Sequence, residues 1–141
     1  MHHHISKLPI HFLLLFLVFT ACKPEKVTIE KSDAPFDWSK ATIYFLLTDR
    51  FNNGDTTNDY VHPSDAAPAP MRGFMGGDIK GITQKIEEGY FTDLGVDAIW
   101  TTPVVQNIDG FVDEGTGISY GFHGYWTKDW TMLDPLIGTI D

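Results

Sequence analysis

Cysteine is all but absent from this chain: Cys22 is the only one. A single thiol closes no intramolecular disulfide, so oxidative stapling is excluded. Basic residues are scarce too. Ten Lys and Arg stand against nineteen Asp and Glu, a formal charge of −9. The acidic residues begin at Glu25 and spread along the chain rather than forming one block. This argues against a nucleic-acid partner, because phosphate binding needs a basic surface. It suits an exported protein that handles neutral ligands or cations. Long apolar runs are missing as well. The main one, Phe12 to Phe19, falls short of the roughly 20 residues that span a bilayer. No internal repeat of about 20 to 50 residues is present.

The apolar run does have a reading. "MHHHISKLPIHFLLLFLVFTAC" carries an early Lys7, then the apolar stretch, then small residues up to Cys22. That order is a secretory signal peptide, assigned to residues 1–21. Cys22 directly after "FTA" resembles a bacterial lipoprotein cleavage box, although Phe19 departs from the usual Leu or Val. Lipidation of Cys22 would tether a soluble domain to a membrane. The alternative is ordinary signal cleavage near Ala21, with Cys22 incidental. Residues 22–40 mix Lys, Glu, Pro, Ser and Asp and read as a linker.

The domain proper is expected over residues 41–141. Ala41 to Thr48 is apolar on both faces, as a strand buried on both sides should be. A polar loop and a Pro-, Ala- and Gly-rich stretch follow. The spacing of Ile79, Ile82, Ile86, Tyr90 and Leu94 predicts one helix over 79–94, with Asp78 as N-cap and Gly95 as its stop. Val96 to Pro103 is a second strand. The order is that of a βαβ unit with a parallel pair, an α/β arrangement. After it, "VVQNIDGFVDEGTGISYGFHGYW" reads as a long loop. Two such strands need further strands beside them and helices over both faces. The 141 residues are therefore expected to be the incomplete start of a larger sheet.

Two stretches carry candidate chemistry. "DRFNNGDTTNDY", Asp49 to Tyr60, is dense in carboxylate and amide oxygens, the donors that hard Ca²⁺ takes six to eight at a time. It matches no EF-hand register. "MGGD", Met75 to Asp78, is the candidate second half, through the Gly76 carbonyl and the Asp78 carboxylate. The competing reading is that Asn, Asp and Gly make turns and Asp78 only caps a helix. Asp49 beside Arg50 is read as a structural ion pair under the loops. In the other stretch, Phe122, His123, Tyr125, Trp126 and Trp130 lie close in sequence. Flat aromatic faces suit the C–H faces of pyranose rings, and a His or Tyr beside them can bond hydroxyls. The competing reading is core packing. His123 has no second His or Cys nearby to build a zinc site.

"IYFLLTDRFNNGD", "GGDIKGITQKIEEGYFTDLGVDAIWTTPVVQN" and "FHGYWTKDWTMLDP", in this order, resemble the opening of an alpha-amylase family glycoside hydrolase. The nearest likeness is to cyclodextrin glucanotransferases and maltogenic amylases. The resemblance covers about residues 41–139. It implies the N-terminal portion of a (β/α)₈ barrel, a fold of about 250 residues whose active site is built at the C-terminal ends of its strands. It implies Ca²⁺ held at Asn53, Asp55, Asn58, Asp59, Gly76 and Asp78. It implies an α-glucan partner with Tyr125 stacking on the sugar beside the scissile bond, His123 bonding that sugar and Trp126 shaping the site. Phe122 departs from the family's usual Tyr. No Asp or Glu here matches the family's catalytic carboxylates, so no catalytic residue is assigned. The parent enzyme is expected to hydrolyse or transglycosylate α-1,4-glucans with retention, at the periplasmic face or the cell surface. The isolated piece is expected to be inactive. The alternative is a non-catalytic, surface glycan-binding lipoprotein.

Overall fold

The computed structural model describes residues 35–140. The assigned signal peptide, Cys22 and most of the linker lie outside the described residues. Within the linker's last residues, the Asp37 carboxylate accepts the Ser39 N–H (3.1 Å) and caps a 3₁₀ turn, Trp38–Lys40.

β1 (Ile43–Leu46) and β2 (Ala98–Thr101) are hydrogen-bonded in parallel, with Ile43 opposite Ala98 and Leu46 opposite Thr101. Each lies inside the predicted strand. A helical turn, α1 (Thr48–Phe51), follows β1 directly. The predicted single helix is instead two. α2 (Ile79–Glu87) ends before Gly89, whose φ of 82° is left-handed, and α3 (Tyr90–Asp93) restarts after it. An apolar stripe is blind to this break, because Gly89 interrupts the backbone without interrupting the spacing. Gly95 stops α3 with φ 70°, as expected.

The break decides which residues reach the core. Leu46, Ile82 and Phe91 form it, with Tyr44, Phe51, Val96 and Ile99 packed around them. Ile86 and Leu94, from the predicted stripe, are more than half exposed, and Phe91 takes their place. Burial of β1 on both faces holds for one face only. Ile43 and Phe45 are 50% and 51% exposed, and Trp100, opposite Phe45, is 63% exposed. The helices cover the Tyr44–Leu46 face, and among the described residues no second layer covers the other.

The predicted loop after β2 also contains strands. β3 (Val105–Asn107) pairs antiparallel with β6 (Thr127–Leu133), and β4 (Phe111–Asp113) pairs with β5 (Ile118–Tyr120) as a hairpin. β3, β4 and β5, at three residues each, are too short for a period-2 signal, and β6 lies beyond the stretch read as a loop. Buried Asp134 anchors the ribbon, its Oδ2 accepting both the N–H and Nδ2 of Asn107 (3.0 and 3.1 Å). The Ile79 N–H reaches the Ile137 carbonyl (2.9 Å), tying this excursion back to the start of α2.

Candidate metal loop and saccharide site

The two candidate sites grow from the C-terminal ends of β1 and β2. Those ends are stitched together by Thr48 and Thr102, both buried. The Thr48 N–H and the Thr102 N–H reach Thr102 Oγ1 (3.2 Å) and the Leu46 carbonyl (3.0 Å) respectively.

After α1 the chain needs a partner for its polar backbone, and Asp78 supplies it. The Asp78 carboxylate is fully buried and accepts N–H groups from Gly54 (3.1 Å), Asp55 (2.7 Å) and Gly81 (2.5 Å). One side chain thus caps α2 and holds the loop. Glycines make the approach possible: a Cβ on Gly54 would collide with the backbone of Lys80 and Gly81, and one on Gly81 with the Asn52 carbonyl. Asp55 caps a 3₁₀ turn, Thr56–Asn58, through the Thr57 N–H (3.0 Å) and pairs with Lys80 (3.2 Å). The Thr57 contacts, with Lys80 assisting, hold its carboxyl down to about 2.

The six expected ligand residues fall into adjoining groups. Asn53 Nδ2 donates to Asp59 Oδ1 (2.7 Å), and Gly76, at φ 85°, leaves the space beside both that a Cβ would fill. Asp55, Asn58 and Asp78 line one cavity of about 320 Å³. Asn58 Oδ1 is itself buried and has no hydrogen-bond partner. An orphaned amide oxygen on a residue that shares a cavity with two carboxylates suits a hard cation. Among the described residues no three His, Cys, Asp or Glu converge, so the donor set is a mixture of amide, carbonyl and carboxylate oxygens. That chemistry fits Ca²⁺ and does not fit zinc.

Asp49 and Arg50 form the ion pair read from the sequence. Asp49 is buried, and burial pushes its carboxyl up against the opposing N–H bonds of Met75 (2.9 Å) and Gly76 (3.2 Å) and the Arg50 charge. Arg50 donates to the carbonyls of Gly73 (2.8 Å) and Met71 (2.9 Å), and its guanidinium lies 4.0 Å from the Phe122 ring centre. The sequence reading missed this last contact, since no spacing rule links residues so far apart. It accounts for Phe122: the ring supplies an apolar face to a cation.

Of the five clustered aromatics, four make ring contacts centred on His123. Its ring lies 5.2 Å from Phe122, 5.9 Å from Tyr125 and 4.7 Å from Trp126. Trp130, on β6, stands apart and is exposed. Gly124, at φ 82°, sits so close to the Pro103 carbonyl that any Cβ would collide with it. This contact pins the His–Gly–Tyr turn to the end of β2. Tyr125 is 59% exposed, and its ring stacks at 27° on that of His123. His123 Nδ1 accepts the Tyr125 N–H (3.0 Å), which fixes the imidazole's orientation.

A second aromatic group went unread in the sequence. Tyr60, His62, Phe74 and Tyr120 pack together, and His62 Nε2 accepts the Phe74 N–H (3.1 Å). Both histidines therefore use a ring lone pair as acceptor. Burial lowers the pKa of each, against the opposing charges of Asp49 for His62 and Glu114 for His123. The folded protein holds both neutral. Their stabilising contribution is complete above the ordinary histidine value of about 6.5 and is lost as pH falls below it toward the depressed folded values. Thermal melts from pH 8 to pH 5 should show a falling midpoint, and His62→Gln should flatten part of that slope. A midpoint constant across this range would refute it.

A sequence profile of the family described as Alpha amylase, catalytic domain, matches residues 45–141. The chain is 46% identical over 112 residues to a periplasmic alpha-amylase of Escherichia coli strain K12, covering 76% of this chain and 16% of that protein. It is 34% identical over 129 residues to a cyclomaltodextrin glucanotransferase of Geobacillus stearothermophilus, covering 87% of this chain and 18% of the relative. Among solved structures, a cyclomaltodextrin glucanotransferase with a three-domain ABC distribution superposes with a TM-score of 0.58 at 38% identity, over 70% of this chain and 20% of that one. The chain spans less than a fifth of the length of these curated relatives.

Proposed function

From a chain that belongs to the alpha-amylase family, and whose βαβ unit is the opening of that family's (β/α)₈ barrel, we propose a role in cleaving or transferring α-1,4-glucans such as starch and maltodextrins. The uncovered face of Ile43, Phe45 and Trp100 then turns toward the barrel interior. Residues 41–141 contribute the first two strand ends and the loops after them. The two carboxyl groups that a retaining reaction needs, about 5 to 5.5 Å apart, come from later strands of the whole protein. This part serves binding and positioning, and alone it is inactive.

One observation carries the reading. The His123–Tyr125 turn is pinned at the C-terminal end of β2 by Gly124, and that end of a barrel is where active sites are built. Tyr125 offers a ring face to a pyranose, neutral His123 offers a hydrogen bond to a hydroxyl, and Trp126 braces His123 edge-on. In the full-length protein, Tyr125→Ala should weaken maltoheptaose binding about tenfold or more, the loss of one stacking face and its buried area. Calorimetry reads this directly once the retaining carboxyl pair of the full-length protein is changed to amides, so that the sugar is bound and not cleaved. Equal affinity in variant and parent would refute the assignment.

Asn53, Asp55, Asn58, Asp59, Asp78 and the Gly76 carbonyl would hold Ca²⁺. When bound, the ion supplies positive charge that clips the loop to the start of α2. The orphaned Asn58 oxygen supports this.

Export is the third element. The residue pattern over 1–21 and the periplasmic relative both support it. Cys22 would carry the lipid, with residues 22–40 as tether, at the periplasmic face or cell surface. Labelling with radioactive palmitate should mark the protein and fail to mark Cys22→Ser. Equal labelling of both would exclude Cys22 as the anchor.

A further inference from the structure

The helical turn α1 touches both candidate sites. On one side Asp49 accepts the N–H groups of Met75 and Gly76, and Gly76 lies against the Asn53 and Asp59 side chains of the candidate metal loop. The Gly77 N–H also reaches the Asp49 carbonyl (2.9 Å), so the "MGG" backbone is bound to this residue from two directions. On the other side Arg50 holds the carbonyls of Met71 and Gly73 and covers the Phe122 ring. Phe122 contacts the His123 ring, and His123 orients Tyr125. The links run without a gap from Gly76 through Asp49, Arg50, Phe122 and His123 to Tyr125.

The pair is built to transmit position. Asp49 is 2% exposed and paired, so neither partner can turn away without leaving a buried charge uncompensated. Arg50 is planar and held at both nitrogens, so a shift of the segment 71–76 moves the guanidinium face and the ring beneath it.

We propose that Asp49 and Arg50 are positioning residues that couple occupancy of the metal loop to affinity at the saccharide site. This rests on the function proposed above. An ion that draws the Gly76 carbonyl inward orders segment 71–76, and Arg50 passes that order to Phe122 and His123. By linkage the coupling is reciprocal: saccharide tightens the metal by the same factor that metal tightens saccharide.

The test uses the full-length protein with its retaining carboxyl pair changed to amides, so that sugar is bound and not cleaved, and two probes, Ca²⁺ and maltoheptaose. Ca²⁺ is titrated calorimetrically with and without saturating maltoheptaose, so no catalytic readout is involved. Maltoheptaose is expected to tighten Ca²⁺ about fivefold or more, the lower end of ordinary allosteric coupling. In Phe122→Leu, which removes the ring and keeps Arg50's two carbonyl bonds, the factor should fall to about one while each ligand still binds. Arg50→Lys, which keeps the charge without the planar fork, should lose it likewise and serves if Phe122→Leu fails to fold. Equal Ca²⁺ affinity with and without sugar in the parent protein overturns the coupling and leaves the proposed function standing. An undiminished factor in both variants overturns the role of this pair. A parent protein that binds no maltoheptaose overturns the proposed function and the coupling with it.

Discussion

Asp78→Ala is expected to destabilise the protein by about 4 kcal/mol. Three backbone N–H groups, from Gly54, Asp55 and Gly81, end on this buried carboxylate. Bonds to a charged acceptor contribute about 1.5–3 kcal/mol each, and donors left unpaired in a buried place add their own penalty. Losing an N-cap alone costs about 1 kcal/mol. The parts are not additive, which keeps the total near the top of the range seen for single substitutions. The same change removes a candidate Ca²⁺ ligand. Added Ca²⁺ should therefore raise the melting temperature of the parent protein and leave that of Asp78→Ala almost unmoved. Lys80→Ala is the control, since it removes only an exposed partner of Asp55. Melting curves with Ca²⁺ and with chelator decide the matter. An Asp78→Ala protein that melts with the parent would show that the loop is held by something else.

The second large effect is expected at Gly124. Its φ of 82° already disfavours any residue with a Cβ, by about 1–2 kcal/mol. The collision with the Pro103 carbonyl adds to that and cannot be relieved by a rotamer change, because the backbone alone sets the Cβ position and the carbonyl is itself backbone. Gly124→Ala must lift the His123–Tyr125 turn off the end of β2. Maltoheptaose affinity should fall about tenfold or more, each 1.4 kcal/mol of misplacement being a factor of ten. Gly110 and Gly115 provide the comparison. Both have positive φ, yet nothing lies within 4 Å of a Cβ at either. Alanine there should cost the same conformational penalty and spare binding. Isothermal titration of the three variants separates the two causes. Equal losses at all three would mean that backbone strain, rather than the contact with Pro103, sets the site.

Read by residue, legibility follows the range of the interaction. β1 and β2 were readable because each centres on a short apolar run, and their parallel pairing followed from the helical pattern between them. Asp78 and Gly95 were readable because caps act within a few residues. The Asp49–Arg50 pair was readable as structure because its partners adjoin in sequence. The break at Gly89 was not, since an isolated glycine inside a periodic stripe is tolerated at a cost of about 1 kcal/mol. Nor were the pairing of β3 with β6, the box of Tyr60, His62, Phe74 and Tyr120, or the seat of Phe122 beneath Arg50.

By itself, then, the sequence determined the βαβ order, the family and the oxygen-rich and aromatic stretches where chemistry could sit. Those are properties of residue type and short spacing, which local sterics and hydrophobic periodicity impose. Tertiary structure alone decided that Asn53, Asp59 and Gly76 meet, that Asn58 Oδ1 is left without a partner, and that the Arg50 guanidinium joins the carbonyls of Met71 and Gly73 to the Phe122 ring. Such contacts join residues tens of positions apart. They exist only once the core of Leu46, Ile82 and Phe91 has brought the loop ends together.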